Sequence, residues 1–217
     1  MSAPLRLGVL ASGSGTNLQA LLDTVHEREA VVVGVASDKP DALALSRAAG
    51  AGVPTRVFPR AEYGTRVERD LAIADWLREL DVELVVLAGY MQLVSPDFLA
   101  AFPQRVINVH PALLPAFTGI GAIEQAIAYG AKITGVTVHF VDEGVDTGPI
   151  ILQAAIDVPL HATPERLHEL LRPLEHRLLP EAVRLFAGHR VSIDDTNPRL
   201  VHITDTATRA PHSRAGR

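Results

Sequence analysis

The sequence predicts an α/β fold, and three observations carry that reading. Apolar runs of strand length stand at Leu5 to Ala11, Ala30 to Ser37, Val53 to Val57, Leu84 to Ala88 and Arg105 to Val109. Several are apolar throughout, as in a parallel sheet covered on both faces. Helical periods lie between them, so strand, helix and strand alternate at about 30 residues per unit, the pattern of βαβ winding.

Taken in order, the first strand runs into Ser12-Gly13-Ser14-Gly15-Thr16-Asn17, which opens a helix with Leu18, Leu21 and Leu22 on its apolar face. From Arg66 to Leu80, Leu71, Ala74 and Leu77 share one side, with Glu68, Arg69, Asp75 and Arg78 elsewhere. Ser95-Pro96-Asp97 supplies an N-cap, a first-turn proline and an acid for the helix dipole. Ile133 to Val141 alternates and Ile150 to Val158 follows a Gly-rich turn, which predicts an antiparallel pair at one end of the sheet. A long helix is expected from Thr163-Pro164 toward Gly188, kinked at Pro173 and Pro180. The expected architecture is a Rossmann-like, mostly parallel twisted sheet with helices on both faces and an antiparallel strand pair toward the C-terminal part. A single catalytic domain is expected over 1–193, with 194–217 as a polar, poorly anchored tail.

Composition narrows the function. At about 150 residues per domain, 217 residues make one large domain. Cysteine is absent, which excludes disulfides, thiolate nucleophiles and Cys-ligated metal or iron-sulfur sites. The net charge is −5, lysine occurs only at Lys39 and Lys132, and no basic run is interleaved with aromatics, so no nucleic-acid partner is expected. No stretch of 18 apolar residues or signal-peptide pattern is present, so no membrane partner and a cytoplasmic location are expected.

Two places hold chemistry. The glycine turn after the first strand aims backbone N–H groups and a positive dipole end at whatever sits above it, which suits a phosphate. It lacks the Gly-Lys-Ser/Thr of a P-loop and matches a dinucleotide fingerprint only in its first two glycines. Asp38 could still act as a ribose-binding acid, which keeps a nicotinamide-dependent oxidoreductase as a rival. The second place is Arg105-Val106-Ile107-Asn108-Val109-His110-Pro111. A period of two points Asn108 and His110 to one side at the carboxyl end of a strand, where open α/β sheets build sites. Pro111 and Pro115 stiffen the loop that follows. A later strand carries Thr137 and His139, and its loop Val141 to Gly148 offers Asp142, Glu143 and Asp146. A carboxylate beside an imidazole favours its charged form and fixes its orientation. His110, His139 and Asp146 would alternatively suit a two-His-one-carboxylate metal site.

SGSGTNLQA, LAGYMQLVSPDF, INVHPALLPAF, GVTVHFVDEGVDTGPI and a late LEH together resemble the phosphoribosylglycinamide formyltransferase family, in order from about residue 5 to 190. The resemblance implies formyl transfer from 10-formyltetrahydrofolate, a co-substrate, to the amine of glycinamide ribonucleotide in purine synthesis, without metal or nicotinamide. It implies Asn108, His110 and Asp146 as catalytic residues. Gly15, Thr16, Asn17, Pro111, Arg172 and Glu175 fall on the ribonucleotide site. Arg66, Met91, Gln92, Leu93, Val94, Asn108 and the loop Val141, Asp142, Glu143, Gly144, Val145 and Asp146 fall on the folate site. The chain departs where the family often has Arg, at Gln92, and where a neutral Gln is common, at Arg172. Partners are expected to be small-molecule substrates, with a homodimer left open. Methionyl-tRNA formyltransferase and formyltetrahydrofolate hydrolase share these motifs and are disfavoured by length. A silent Rossmann-like binding module would keep the glycine turn without needing Asn108, His110 and Asp146 together.

Overall fold

The structure, a computed structural model, describes residues 3–204. The elements are β1 (Leu5–Leu10), α1 (Thr16–Thr24), β2 (Ala30–Ser37), α2 (Leu43–Gly50), β3 (Thr55–Val57), a short 3₁₀ turn (Arg60–Glu62) and α3 (Arg66–Glu79). There follow β4 (Leu84–Leu87), α4 (Pro96–Ala101), β5 (Val106–His110), α5 (Ala122–Tyr129), β6 (Ile133–Phe140), β7 (Ile150–Asp157), α6 (Pro164–Ala187), β8 (Val191–Ile193) and β9 (Val201–Ile203).

The first seven strands form one sheet in the order β3-β2-β1-β4-β5-β6-β7. β1 to β5 pair in parallel, and β6 runs antiparallel to both β5 and β7. The chain winds outward from β1 to β3 and returns to β4 on the other side of β1. The carboxyl ends of β1 and β4 therefore part at a switch point, the crevice in which open α/β sheets bind ligands.

The apolar runs of the inner strands β1, β2, β4 and β5 are largely covered on both faces, whereas β3, at the sheet edge, has Thr55 and Arg56 exposed. In β4, Leu84 and Val86 join one core layer while Val85 and Leu87 join the other, as a side-chain period of two requires. One layer packs Leu18 and Leu21 of α1, Ala44 and Ala48 of α2, Ile123 of α5, and Leu167, Leu171, Leu178 and Val183 of α6. The other packs Ile73, Ala74 and Leu77 of α3 against Phe98 of α4. Thr65 and Glu68 close the start of α3 as a capping box, and Ser95 caps α4 with Pro96 in its first turn.

Three features add to the sequence reading. β6 and β7 form the antiparallel pair expected at one end of the sheet, and Thr134 to Phe140 of β6 are all buried; Thr137 is satisfied inside, donating to the Ala112 carbonyl at 2.7 Å. β7, the edge strand, is the one that alternates. α6 continues through Pro173 and Pro180 as one helix, because its buried stripe holds it to the sheet on both sides of each proline. The boundary expected at residue 193 falls within a hairpin, as β8 pairs antiparallel with β9. In its turn, His202, the Thr196 hydroxyl and the N–H groups of Asn197 and Thr196 hold the Asp194 carboxyl well below its ordinary range. Arg199 of this hairpin donates to the Thr147 carbonyl in the loop between β6 and β7. Residues 205–217 of the expected tail lie outside the described residues. Among the described residues no helix is long and apolar enough to cross a membrane.

Candidate active site

The glycine turn is built by α1 and α2 together. Gly15 is the N-cap of α1 with φ of 70°, a left-handed conformation that glycine adopts without strain. A Cβ at this position would lie 2.6 Å from the Ala44 Cα, so α2 seats directly against the turn. Ala44 N donates to the Gly13 carbonyl at 3.1 Å, and Arg47 Nε donates to the Ser14 carbonyl at 2.8 Å. Two successive carbonyls are thus held by α2. Arg47 was not singled out in the sequence, because only the packing of α2 brings it to the turn. The cavity over the turn, about 370 Å³, is lined by Gly15, Thr16, Asn17, Pro111 and Glu175, and also by Lys39 and His168. Asn17 Nδ2 donates to Glu175 at 3.0 Å, which ties α1 to α6 under the cavity. Arg172 is not among the lining residues. Its Nε and His176 Nε2 are buried without a hydrogen-bond partner, and burial lowers the His176 imidazole below its ordinary value despite the nearby Glu175.

A polar chain joins this turn to the stretch after β4. Ser12 Oγ donates to Asp38 at 2.5 Å and accepts from Met91 N at 2.9 Å. Asp38 accepts from Gln92 Nε2 at 3.1 Å, and Gln92 Oε1 faces Arg69 Nη1 at 3.5 Å. Arg69 pairs with Asp70 at 2.8 Å, the two being 2% and 0% exposed, and Asp70 accepts from Ser95 N at 2.7 Å. Both carboxylate oxygens of Asp38 are therefore engaged within the protein, an arrangement that competes with the ribose-binding role considered from the sequence. Above this chain Tyr90 is buried, which pushes its hydroxyl up.

Asn108 and His110 lie at the end of β5 as the sequence requires, and pairing with β6 sets His139 opposite Asn108. The loop after β6 delivers Asp146, which has φ of 52°. His110 Nδ1 lies 3.3 Å from Asp146 Oδ2, and its Nε2 lies 2.8 Å from the Phe117 carbonyl. An imidazole facing an acceptor at each nitrogen donates at both only when protonated. Asn108 Nδ2 lies 3.4 Å from Asp146 Oδ1 and 3.2 Å from His139 Nε2. The Gly119 N–H donates to Asp146 at 2.7 Å. Burial would raise the Asp146 carboxyl, but His139, the Gly119 N–H and the charge of His110 outweigh it and hold the group below its ordinary value. Phe117 and Gly119 are residues the sequence did not point to; they act through backbone atoms, for which side-chain identity carries no signal. Among the described residues no group of three or more His, Cys, Asp and Glu is placed to hold a metal ion.

Three cavities run side by side across this edge. One of about 200 Å³ is lined by Arg66, Gln92, Leu93, Val94, Asn108, Val141, Asp142, Glu143, Gly144 and Asp146, together with Leu87, Tyr90 and His139. Met91 and Val145, the remaining members of the expected folate set, line the next cavity, of about 250 Å³, with Asn108, His110 and Asp146. That middle cavity shares Gly89, Met91, Val109 and Pro111 with the space over the glycine turn. Asn108 and Asp146 thus stand where an elongated pocket meets a turn that presents N–H groups, with His110 at the junction. This geometry suits a group transfer between two ligands.

Residues 5–183 match the formyl transferase family. The chain is 40% identical over 185 residues to the phosphoribosylglycinamide formyltransferase of Bacillus subtilis, covering 84% of this chain and 95% of that protein. It is 42% identical over 192 residues to the human trifunctional purine biosynthetic protein adenosine-3, covering 88% of this chain but 19% of that much longer protein. The crystal structure of glycinamide ribonucleotide transformylase 1 from Symbiobacterium toebii superposes with a TM-score of 0.88 at 48% identity, over 93% of this chain and 95% of that one. Sheet order, the junction of cavities and these likenesses agree, and the chain belongs to the formyl transferase family, among its phosphoribosylglycinamide formyltransferases.

Proposed function

We propose that this enzyme transfers a formyl group from 10-formyltetrahydrofolate to the amine of phosphoribosylglycinamide, as a cytoplasmic step of purine synthesis. The observation that carries the reading is the meeting of Asn108, His110 and Asp146 at the junction of the cavities. The glycine turn takes the ribonucleotide phosphate on its N–H groups and the dipole of α1. The donor lies in the elongated pocket, with Leu93, Val94 and Val141 along its rings and Arg66 at its acidic end. Every residue assigned a catalytic or binding role falls within 1–193, the catalytic domain expected from the sequence, and the β8–β9 hairpin that crosses this boundary reaches the Thr147 carbonyl through Arg199.

In the reaction, the neutral amine attacks the formyl carbon and a new C–N bond forms while charge gathers on the formyl oxygen. His110 exchanges the Phe117 carbonyl for that oxygen, and Asn108 supplies an amide N–H. Asp146 keeps the imidazole oriented, and the amine proton passes by way of its carboxylate or a water to the donor nitrogen as the old C–N bond breaks. The deciding experiment mixes purified protein, phosphoribosylglycinamide and 10-formyltetrahydrofolate and follows release of tetrahydrofolate. Release that depends on the ribonucleotide supports the transferase, and equal release without it would make the enzyme a hydrolase.

The phosphate assignment carries its own expectation. Gly15→Val adds a side chain where even a Cβ meets Ala44 at 2.6 Å, so the turn must shift and its N–H groups lose their aim. Losing one or two charge-assisted hydrogen bonds weakens ribonucleotide binding about tenfold to a hundredfold. Donor affinity should change far less. Calorimetric titration with each ligand checks this, and an unchanged ribonucleotide affinity would put the phosphate elsewhere.

A further inference from the structure

We propose that Arg199, on the β8–β9 hairpin, is a positioning residue for the formyl transfer: through the Thr147 carbonyl it holds the loop that carries Asp146 and walls the donor pocket. The proposal rests on the reading above for what Asp146 and that pocket do. The loop after β6 supplies Val141, Asp142, Glu143, Gly144 and Asp146 to the pocket, yet none of residues 141–147 is buried. Apolar packing therefore cannot fix its path, and polar ties must. Within the loop, Asp142 accepts from Gly144 N at 3.1 Å and from the Thr147 hydroxyl at 2.6 Å. These bonds set the shape of the loop but not its tilt toward the site. The ties that aim it there come from Gly119 N, Asn108, His110 and His139, and all of them fall on the Asp146 carboxylate. That carboxylate has to exchange partners when a proton moves. Arg199 Nη1 instead donates to the Thr147 carbonyl, one residue along, and holds the loop by a group that takes no part in the chemistry.

A tether transmits position only if its own footing is fixed. Val191, Ile193 and Val201 of the hairpin pack against the main core, and Thr204 N donates to the Arg190 carbonyl at 3.0 Å to close its base. At the far end the Asp194 carboxylate organises the turn, accepting from Thr196 N and Asn197 N at 2.8 Å each and pairing with His202 Nε2 at 2.8 Å. Asn197 Oδ1 then accepts from Arg199 N at 3.1 Å, which fixes the backbone beneath the guanidinium. A charged donor on a carbonyl makes a stronger bond than a neutral one, and the five N–H groups of arginine keep it in reach as the loop flexes.

The test compares wild type, Arg199→Ala and Arg199→Lys by steady-state rates, with each substrate varied in turn, and by amide hydrogen exchange. Arg199 is exposed, so the melting temperature should stay close to that of the wild type. Loss of one charge-assisted bond in an exposed setting should lower kcat about threefold to tenfold and raise KM for the formyl donor about twofold to fivefold. KM for the ribonucleotide should not move. Amides of residues 143–147 should exchange faster in Arg199→Ala, and those of β4 and β5 should not. Lysine can place one donor on the same carbonyl, so Arg199→Lys should recover about half of the wild-type kcat or more. Values of kcat and donor KM within about twofold of the wild type in Arg199→Ala, or unchanged exchange in the loop, overturn the assignment. A fall in melting temperature with both KM values rising in step overturns it as well, since that is the mark of a general structural loss. Absence of formyl transfer by the wild type would overturn the reading beneath the proposal and this role with it.

Discussion

His110→Ala should lower kcat by about 10² or more, and Asn108→Ala should do the same, because each removes a donor aimed at charge that forms only in the transition state. An interaction made in the transition state alone lowers kcat and kcat/KM together, so KM for both substrates should stay nearly constant. Some loss of stability is expected for His110→Ala. The ring is 5% exposed, and its removal leaves the Phe117 carbonyl and one side of Asp146 short of a donor, a cost of about 1–3 kcal/mol. Asn108 is half-buried, and its substitution should cost less. Melting curves and steady-state rates on the same preparations separate the two effects. A cooperative variant that keeps more than about a tenth of wild-type turnover would remove that residue from oxyanion stabilisation.

Asp146→Asn is expected to lower kcat by a comparable factor, about 10² to 10⁴, since the proton that leaves the amine then has no carboxylate to receive it. The substitution is well isolated. Asparagine has the same shape and tolerates the positive φ of 52° that Asp146 adopts, so the charge is what changes. The sign of the pH dependence follows from the lowered carboxyl. A group depressed in the folded state stabilises that state fully above its unfolded value of about 3.9, and the contribution is lost as pH falls through the lower folded value. The contribution of the carboxylate to the difference in melting temperature between wild type and Asp146→Asn should therefore persist down to about pH 5 and be lost only below the ordinary carboxylate range. A difference that closes between pH 6 and about 5 would mean that Asp146 is not held by His139, Gly119 and His110 in solution.

Much of this molecule is legible from local pattern. Each continuously apolar run became a buried strand, because a run that is apolar on both sides of a pleat has only a covered parallel sheet to enter. Ser95-Pro96 and Thr163-Pro164 mark the starts of α4 and α6 by capping chemistry that acts within one turn. A period of two placed Asn108 and His110 on one side of a strand end. The residues proposed for the folate and the ribonucleotide came from resemblance, which transfers the outcome of folding without deriving it.

The sequence by itself determined the α/β winding, the glycine turn at a helix start and the Asn-His strand end, since each depends on neighbours a few residues apart. Only the tertiary structure decided which partners these meet. The seating of Arg47 on the turn crosses 33 residues, the Asp38–Gln92 bond 54 and the Asn108–Asp146 contact 38. The Gly119 N–H and Phe117 carbonyl that orient Asp146 and His110 are backbone atoms common to every residue. A contact of that kind depends on where strand order, helix packing and loop path bring two distant segments, and no local periodicity encodes the distance between them.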